Sequence, residues 1–248
     1  MGPRVNIRRF GCLIAALLAS VQAGCAGPEP DGSPEEVLSV ASAGLEGVDR
    51  YTFRSRTFVR SGGIELHELE SYEGEIAGHA VRAIRSLSGG AAREDGAVET
   101  PASRLAEIAR READIAFADA SACCLTLRVT LKGEAAARDV RERLTERFER
   151  AAKRAESGPE AAGLVDAGTA EQFRRAAARE AARFRAELAR MLEGLEAETT
   201  VFVTIDRKTM LPLRLEETTA LRYQAGGKMR TEERVTRTTL EGFDGRPL

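Results

Sequence analysis

The residues best suited to chemistry at neutral pH are four cysteines and two histidines, and their spacing limits what they can do. Cys123 and Cys124 are adjacent. Neighbouring side chains on a strand point to opposite faces, so a disulfide between them would demand a strained ring. Two small packing residues are the expectation, with the strained bridge as the other reading. No Cys-x-x-Cys pair and no Cys/His ligand spacing occurs, so no metal is expected. His67 and His79 fall on a strand or turn without a partner motif. Carboxylates are plentiful, yet none stands in a motif with a nucleophile, a metal spacing or a glycine-rich phosphate loop. Gly62-Gly63, Gly89-Gly90 and Gly226-Gly227 are turn pairs. No catalytic residue is assigned, and neither enzyme activity nor a cofactor is expected.

The remaining cysteines lie near the N-terminus. Arg4, Arg8 and Arg9 precede an apolar run from Phe10 to Val21, which contains Cys12. That run is shorter than the roughly 20 residues that cross a bilayer and fits the apolar region of a bacterial secretory signal over residues 1–24. Ala23-Gly24-Cys25 resembles the end of a bacterial lipobox, whose cysteine is diacylated and becomes the new N-terminus. Gln22 stands where that box usually has Leu, and Val21-Gln22-Ala23 also satisfies the small-x-small rule for an ordinary cut. Both cuts stay open, with lipidation at Cys25 the expected one, because residues 25–33 are rich in Pro, Gly and Asp and read as a tether. The expected location is outside the cytoplasm, on a bacterial membrane held through the lipid anchor.

Composition narrows the remainder. Of 248 residues, 43% are hydrophobic and 31% charged, with a formal net charge of −2. Removing the first 24 residues takes away three arginines and no acids, leaving 34 basic against 39 acidic residues and a charge of −5. Nucleic acid needs a basic face that displaces counterions, so it is not an expected partner. Trp is absent and Phe plus Tyr total 12, which argues against stacking platforms for bases.

The elements emerge from period and punctuation. Ser33-Pro34-Glu35-Glu36 is a capping box with Pro at the first helical position, and Val37, Leu38, Ala41, Leu45 and Val48 continue it as one apolar stripe. From Tyr51 the period changes to two, and three strands joined by short turns form a meander through "AVRAIRSL". In it Ile64, Leu66, Tyr72, Gly74 and Ile76 share one parity, and Arg56 and Glu73 on the wet face suit cross-strand pairing. Thr100-Pro101 opens a short helix with Leu105, Ile108 and Ala109 inward. Strands come next around Asp119-Ala120-Ser121, with Leu125, Leu127, Val129 and Leu131 alternating. Gly133 opens a helical half with stripes at Val140, Leu144, Phe148 and Ala151, then Phe173, Ala177, Phe184, Leu188, Met191, Leu192 and Leu195, the second helix beginning at a Thr169/Gln172 capping box. Val201, Val203 and Ile205 lead to the turn Asp206-Arg207-Lys208-Thr209. Pro212 begins the next strand, where its missing N–H does no harm. The last strand is rich in Glu, Arg and Thr, which suits a protected edge.

This order, with Ile205, Asp206, Thr209, Leu211, Pro212 and Arg214 in the form I-D-x-x-T-x-L-P-x-R, resembles the LolA-like group of bacterial envelope proteins, which includes LppX-like lipoproteins. "SYEGEIAGHAVRAI" adds to the likeness, which runs through residues 34–243 in order of elements. The resemblance implies an α+β fold: a curved antiparallel sheet, an unclosed half-barrel, with helices packed on its concave face and an apolar cavity between them for acyl chains. Residues 34–248 would form a single domain.

Two functions are expected from this. The first is an envelope-anchored lipoprotein that binds a lipid or other acylated ligand, without catalysis, in a sheet–helix cavity lined by Phe53, Leu127, Val129, Phe184, Leu188 and Val203. The alternative is an interaction, sensor or structural lipoprotein with a filled core and no ligand. Cavity volume separates them, since a connected apolar space of several hundred Å³ favours the ligand.

Overall fold

A computed structural model describes residues 32–61, 64–87, 98–157 and 166–245. The signal, Cys25 and most of the tether lie outside the described residues, as do Gly62-Gly63 and Gly89-Gly90. Helix α1 (Pro34–Gly47) begins at the predicted capping box: Ser33 Oγ accepts from the Glu36 amide at 3.2 Å, and the Ser33 amide donates to Glu36 Oε2 at 2.8 Å. Strands β1 (Arg50–Ser61), β2 (Ile64–Ala77) and β3 (Ala80–Ser86) form the meander. Helix α2 (Pro101–Arg110) is capped by Thr100, and strands β4 (Asp114–Ala120) and β5 (Cys124–Lys132) succeed it. Two long helices come next, α3 (Gly133–Ser157) and α4 (Ala167–Glu193), and then strands β6 (Glu196–Asp206), β7 (Pro212–Ala225) and β8 (Lys228–Glu241). Helix α4 starts earlier than predicted. Asp166 caps it, accepting from the Gly168 and Thr169 amides at 3.0 Å each, and Thr169 donates its hydroxyl to the same carboxylate. An aspartate carboxylate can satisfy two of the free amides at a helix start.

The fold is α+β. Among the described residues eight strands pair antiparallel in one sheet of order β3-β2-β1-β8-β7-β6-β5-β4, and the end strands β3 and β4 do not pair with each other, so the sheet is unclosed. Two expectations are corrected by this order. Strand β8 is central, between β1 and β7, and not an edge. Its polar residues find partners across the ladders: Thr236 with Thr57 at 2.9 Å, Thr238 with Ser55 at 3.0 Å, and Glu233 with Arg60. Polar side chains fit a central strand when the neighbouring strand carries their complements. The second correction concerns β2, whose pairing with β1 slips at Leu69 and again at Leu66. One bulge reverses the facing of the residues beyond it and a second restores it, so parity alone does not account for this end of the strand: residues 64–67 are exposed on both faces, Ile64 and Leu66 at 68% and 63%, although Tyr72 and Ile76 are buried.

One hydrophobic cluster joins the helices to the sheet. Val37, Leu38, Ala41 and Leu45 of α1, Leu105 and Ile108 of α2, and Ala136, Ala137 and Val140 of α3 pack with Leu125, Leu127, Val129, Leu131, Val201, Val203 and Ile205. Fully burying each large aliphatic side chain contributes roughly 1.5–3 kcal/mol. Gly74 is part of this packing, because the Phe53 ring occupies the space a Cβ would need. Phe53 then meets Tyr72 edge-on with centroids 6.1 Å apart. Helix α4 contributes little beyond Leu192: Phe173 and Phe184 are 50% and 47% exposed. Among the described residues, no helix is long and apolar enough to cross a membrane.

Candidate functional site

The six residues predicted to line a cavity divide three ways. Phe53, Leu127, Val129 and Val203 are buried in the packed core, and Leu188 is half-buried against it. Phe184 does not join them. It lies on the open side of α4, with the Arg183 guanidinium 4.8 Å from its ring centroid. The stripe on α4 is therefore covered only toward its end: Phe173 and Phe184 are exposed, Leu188 is half-buried, and Leu192 and then Leu195 are buried in the core.

The most unusual chemistry lies where α2 and α3 meet β7. Arg104 of α2 is buried on the same helical face as Leu105 and Ile108. Its Nη1 and Nη2 donate to Asp139 of α3 at 3.0 and 3.1 Å, and its Nε donates to Glu217 of β7 at 2.8 Å. Arg143, one turn beyond Asp139, donates to Glu217 at 2.6 Å and to Glu99 at 3.3 Å. Two arginines and two carboxylates thus share one buried knot. Burial alone would raise the Glu217 carboxyl, but the attraction of Arg104 and Arg143 outweighs it and holds the group well below the usual carboxylate range. Burial likewise lowers Arg104, and Glu217 and Asp139 more than reverse that. Both groups are therefore charged, and each depends on the other.

Around the knot three cavities converge on Arg143 and Arg147, which are one turn apart on α3. One holds about 60 Å³ over Thr57, Glu217, Thr219, Arg234 and Thr236, and another about 50 Å³ beside Phe53, Tyr72, Glu99 and Arg104. The third is an open groove of about 570 Å³ between α2 and α3, lined by Arg110, Arg111 and Arg150 as well and by Glu99, Glu107 and Glu146, which pair with Arg143, Arg111 and Arg150 in turn. Arg147 lines all three, its side chain 45% exposed, with Glu70 at 3.6 Å. Enclosure and then the like charge of Arg143 push its guanidinium down from the ordinary arginine value. The Nε of Arg143 is buried and has no hydrogen-bond partner among the described residues. This arrangement of forked donors and threonine hydroxyls suits an oxyanion. No general base stands beside a nucleophile here, and no cluster of His, Cys, Asp and Glu able to hold a metal occurs among the described residues.

Sequence reasoning did not single out Arg104, Asp139, Arg143 or Arg147. A signal was present. Arg104 falls four residues before Ile108 on an apolar stripe, and Glu217 shares the inward parity of Leu215 and Leu221. Charged residues at core positions mark either a buried pair or a site. No family model, curated protein or solved structure matches the chain.

Proposed function

We propose that this chain is an envelope-anchored lipoprotein, held to a bacterial membrane through Cys25, that binds a ligand without transforming it and recognises the ligand by a negative group. The reading takes the order of elements as LolA-like, with the helices on the concave side of a half-barrel in one domain from residue 34. The observation that carries it is the convergence of three cavities on Arg143 and Arg147, one buried nitrogen of which lacks a partner. The ligand chemistry is a carboxylate or phosphate, borne by a lipid, another acylated molecule or a small metabolite. The acyl-lined cavity is a weaker candidate, because Leu127, Val129 and Val203 are closed off by packing.

Binding measured by calorimetry separates charge from chain. Dodecanoate, dodecanol, inorganic phosphate and a short-chain phosphatidic acid are the probes, against wild type, Arg147→Gln and Val129→Trp. Saturable binding of an anionic probe, weakened about ten-fold in Arg147→Gln as expected for one charge-assisted contact, supports the site. Equal affinity for dodecanol and dodecanoate, abolished in folded Val129→Trp, returns the case to an acyl cavity.

A second reading rests on the knot itself. Arg104, Asp139 and Glu217 satisfy one another, as a filled scaffold would require, and a chain that binds none of the four probes is that scaffold.

A further inference from the structure

Strand β5 begins at Cys124, so Cys123 belongs to the preceding turn and not to the strand. The alternation that would separate the two thiols therefore does not apply. Their sulfurs lie 3.1 Å apart. Ser121 holds the turn closed: its amide donates to the Cys124 carbonyl at 2.8 Å, and its Oγ accepts from the Cys124 amide at 3.1 Å. The facing turn fixes it from the other side, since the Arg207 amide donates to the Cys123 carbonyl at 2.9 Å and Arg207 Nη1 donates to the Ser121 carbonyl at 3.0 Å. Cys123 is exposed and Cys124 half-buried.

We infer that Cys123 and Cys124 form a redox-active vicinal dithiol that closes reversibly to a disulfide by exchange with an incoming disulfide, whether on a small molecule or on a protein oxidoreductase. Cys123 is the attacking group. Its thiol is acidified by Ser121 and then by Cys124, whereas hydrogen bonding to Cys123 and then burial push Cys124 up to about 11. The Cys123 thiolate attacks one sulfur of the incoming disulfide and expels the other as a thiolate, leaving a mixed disulfide. Cys124 then gives up its proton and attacks the Cys123 sulfur, expelling the second thiolate. Two electrons and two protons pass from the dithiol to the incoming disulfide, which leaves as two thiols.

The bond so formed is reducible for a reason of chain geometry. Consecutive Cα atoms are about 3.8 Å apart, short of the range of about 4.4–6.8 Å usual for disulfides, and such deviation stores strain. Strained, exposed disulfides have the more oxidising potentials and cycle instead of acting as permanent staples. This inference is independent of the anion site, which lies on other elements.

The test uses the full chain equilibrated across glutathione buffers of graded poise, quenched in acid and cut with trypsin. Cleavage after Arg111 and Arg128 leaves one peptide that holds both cysteines and no others. That peptide should pass from the dithiol to a species lighter by two hydrogens, with a midpoint inside the range of the buffers, and return on re-reduction. Cys124→Ser should stop at the glutathione mixed disulfide. In the reduced chain, limiting iodoacetamide at neutral pH should modify Cys123 about ten-fold or more faster than Cys124. A peptide that stays a dithiol throughout, or carries two glutathiones and never closes, overturns the inference.

Discussion

The helix-covered face of the sheet has two halves built on opposite principles. Over β5 and β6 the inward positions are Leu125, Leu127, Val129, Leu131, Ala197, Val201, Val203 and Ile205, all buried, with one polar residue among them, Thr199, whose hydroxyl meets Thr219 of β7 at 3.2 Å. Over β7, β8 and β1 the inward positions include Glu217, Thr219, Thr236, Thr238, Ser55 and Thr57, with Arg104, Asp139 and Arg143 brought down from the helices. Helix α3 serves both: Ala136, Ala137 and Val140 join the apolar half, and Asp139 and Arg143 point into the charged one. Dispersion and water release hold the first half, and neither requires a particular partner. The second half holds only while its charges remain matched. A fold that needed nothing but closure could have used the first arrangement throughout, so the second half is the place to look for function.

Breaking a partner in the charged half should show the largest effect. Glu217→Ala leaves Arg104 and Arg143 buried against each other, and a loss of roughly 3–5 kcal/mol in urea unfolding is expected. Replacing Arg104, Asp139, Arg143 and Glu217 together by Met, Leu, Met and Leu should recover most of it, since an apolar set of similar volume avoids desolvating the charges. If the quadruple variant is as unstable as the single one, the knot is not a matter of charge matching.

Acid gives the same comparison without mutation. The Glu217 carboxyl is lower in the folded chain than in the unfolded one, so its contribution is complete above the unfolded value of about 4.3 and is lost as the pH falls below it toward the native value. The urea midpoint of the wild type should fall steeply from about pH 5 to about pH 3, and less steeply in Glu217→Gln. Parallel curves would assign the acid sensitivity to other carboxylates.

In the apolar half Leu127→Ala should cost roughly 2–5 kcal/mol, by lost transfer plus the cavity left behind. Unlike Glu217→Ala, it should be insensitive to pH between about 3 and 7. Gly74→Ala tests apolar packing at the other end of the sheet, on β1 and β2, by adding an atom where the Phe53 ring already sits. Overpacking of this kind costs about 1–3 kcal/mol, measured in the same unfolding assay. Phe53→Leu in the Gly74→Ala background should return part of the loss if the ring is the cause.

The two halves were not equally legible in the sequence. Alternation of Leu125, Leu127, Val129 and Leu131 identifies a half-buried strand directly, because hydrophobicity has a period that can be read. The Ser33 capping box and the Asp206 turn are local chemistry and stand as expected, Asp206 Oδ1 accepting from the Lys208 and Thr209 amides at 3.0 and 2.7 Å. What could not be read is who faces whom at long range. Glu217 and Arg104 are 113 positions apart, and nothing in either segment names the other. The central place of β8 was hidden for the same reason, since its threonines meet Ser55 and Thr57 of a strand near the other end of the chain. The bulges at Leu66 and Leu69 leave no mark in a pattern of hydrophobicity, and neither does the end of the covered area: Ile64 and Leu66 keep the spacing of an inward face where both faces of the strand are exposed.

Helix α4 belongs to neither half, and the smallest expected effect is found there. Its stripe has the spacing of a buried face, yet only Leu188 and Leu192 toward its end reach the core, and Phe173 and Phe184 stay exposed. Spacing says that apolar residues share a side, not that anything covers that side. Phe184 keeps the stacking of Arg183 over its ring, worth about 0.5–1 kcal/mol at an exposed position, and surface substitutions otherwise change stability by about 0.5 kcal/mol or less. Phe184→Ala should therefore lower stability by no more than about 1 kcal/mol, several times less than Leu127→Ala. The measurement is urea unfolding at two protein concentrations at least ten-fold apart. A loss of 3 kcal/mol or more, on the order of a buried Phe, would mean that α4 is covered in solution. If that loss grew with concentration, a second copy of the chain would be the cover. A small, concentration-independent effect leaves the stripe facing water and the division of labour between the two halves of the sheet intact.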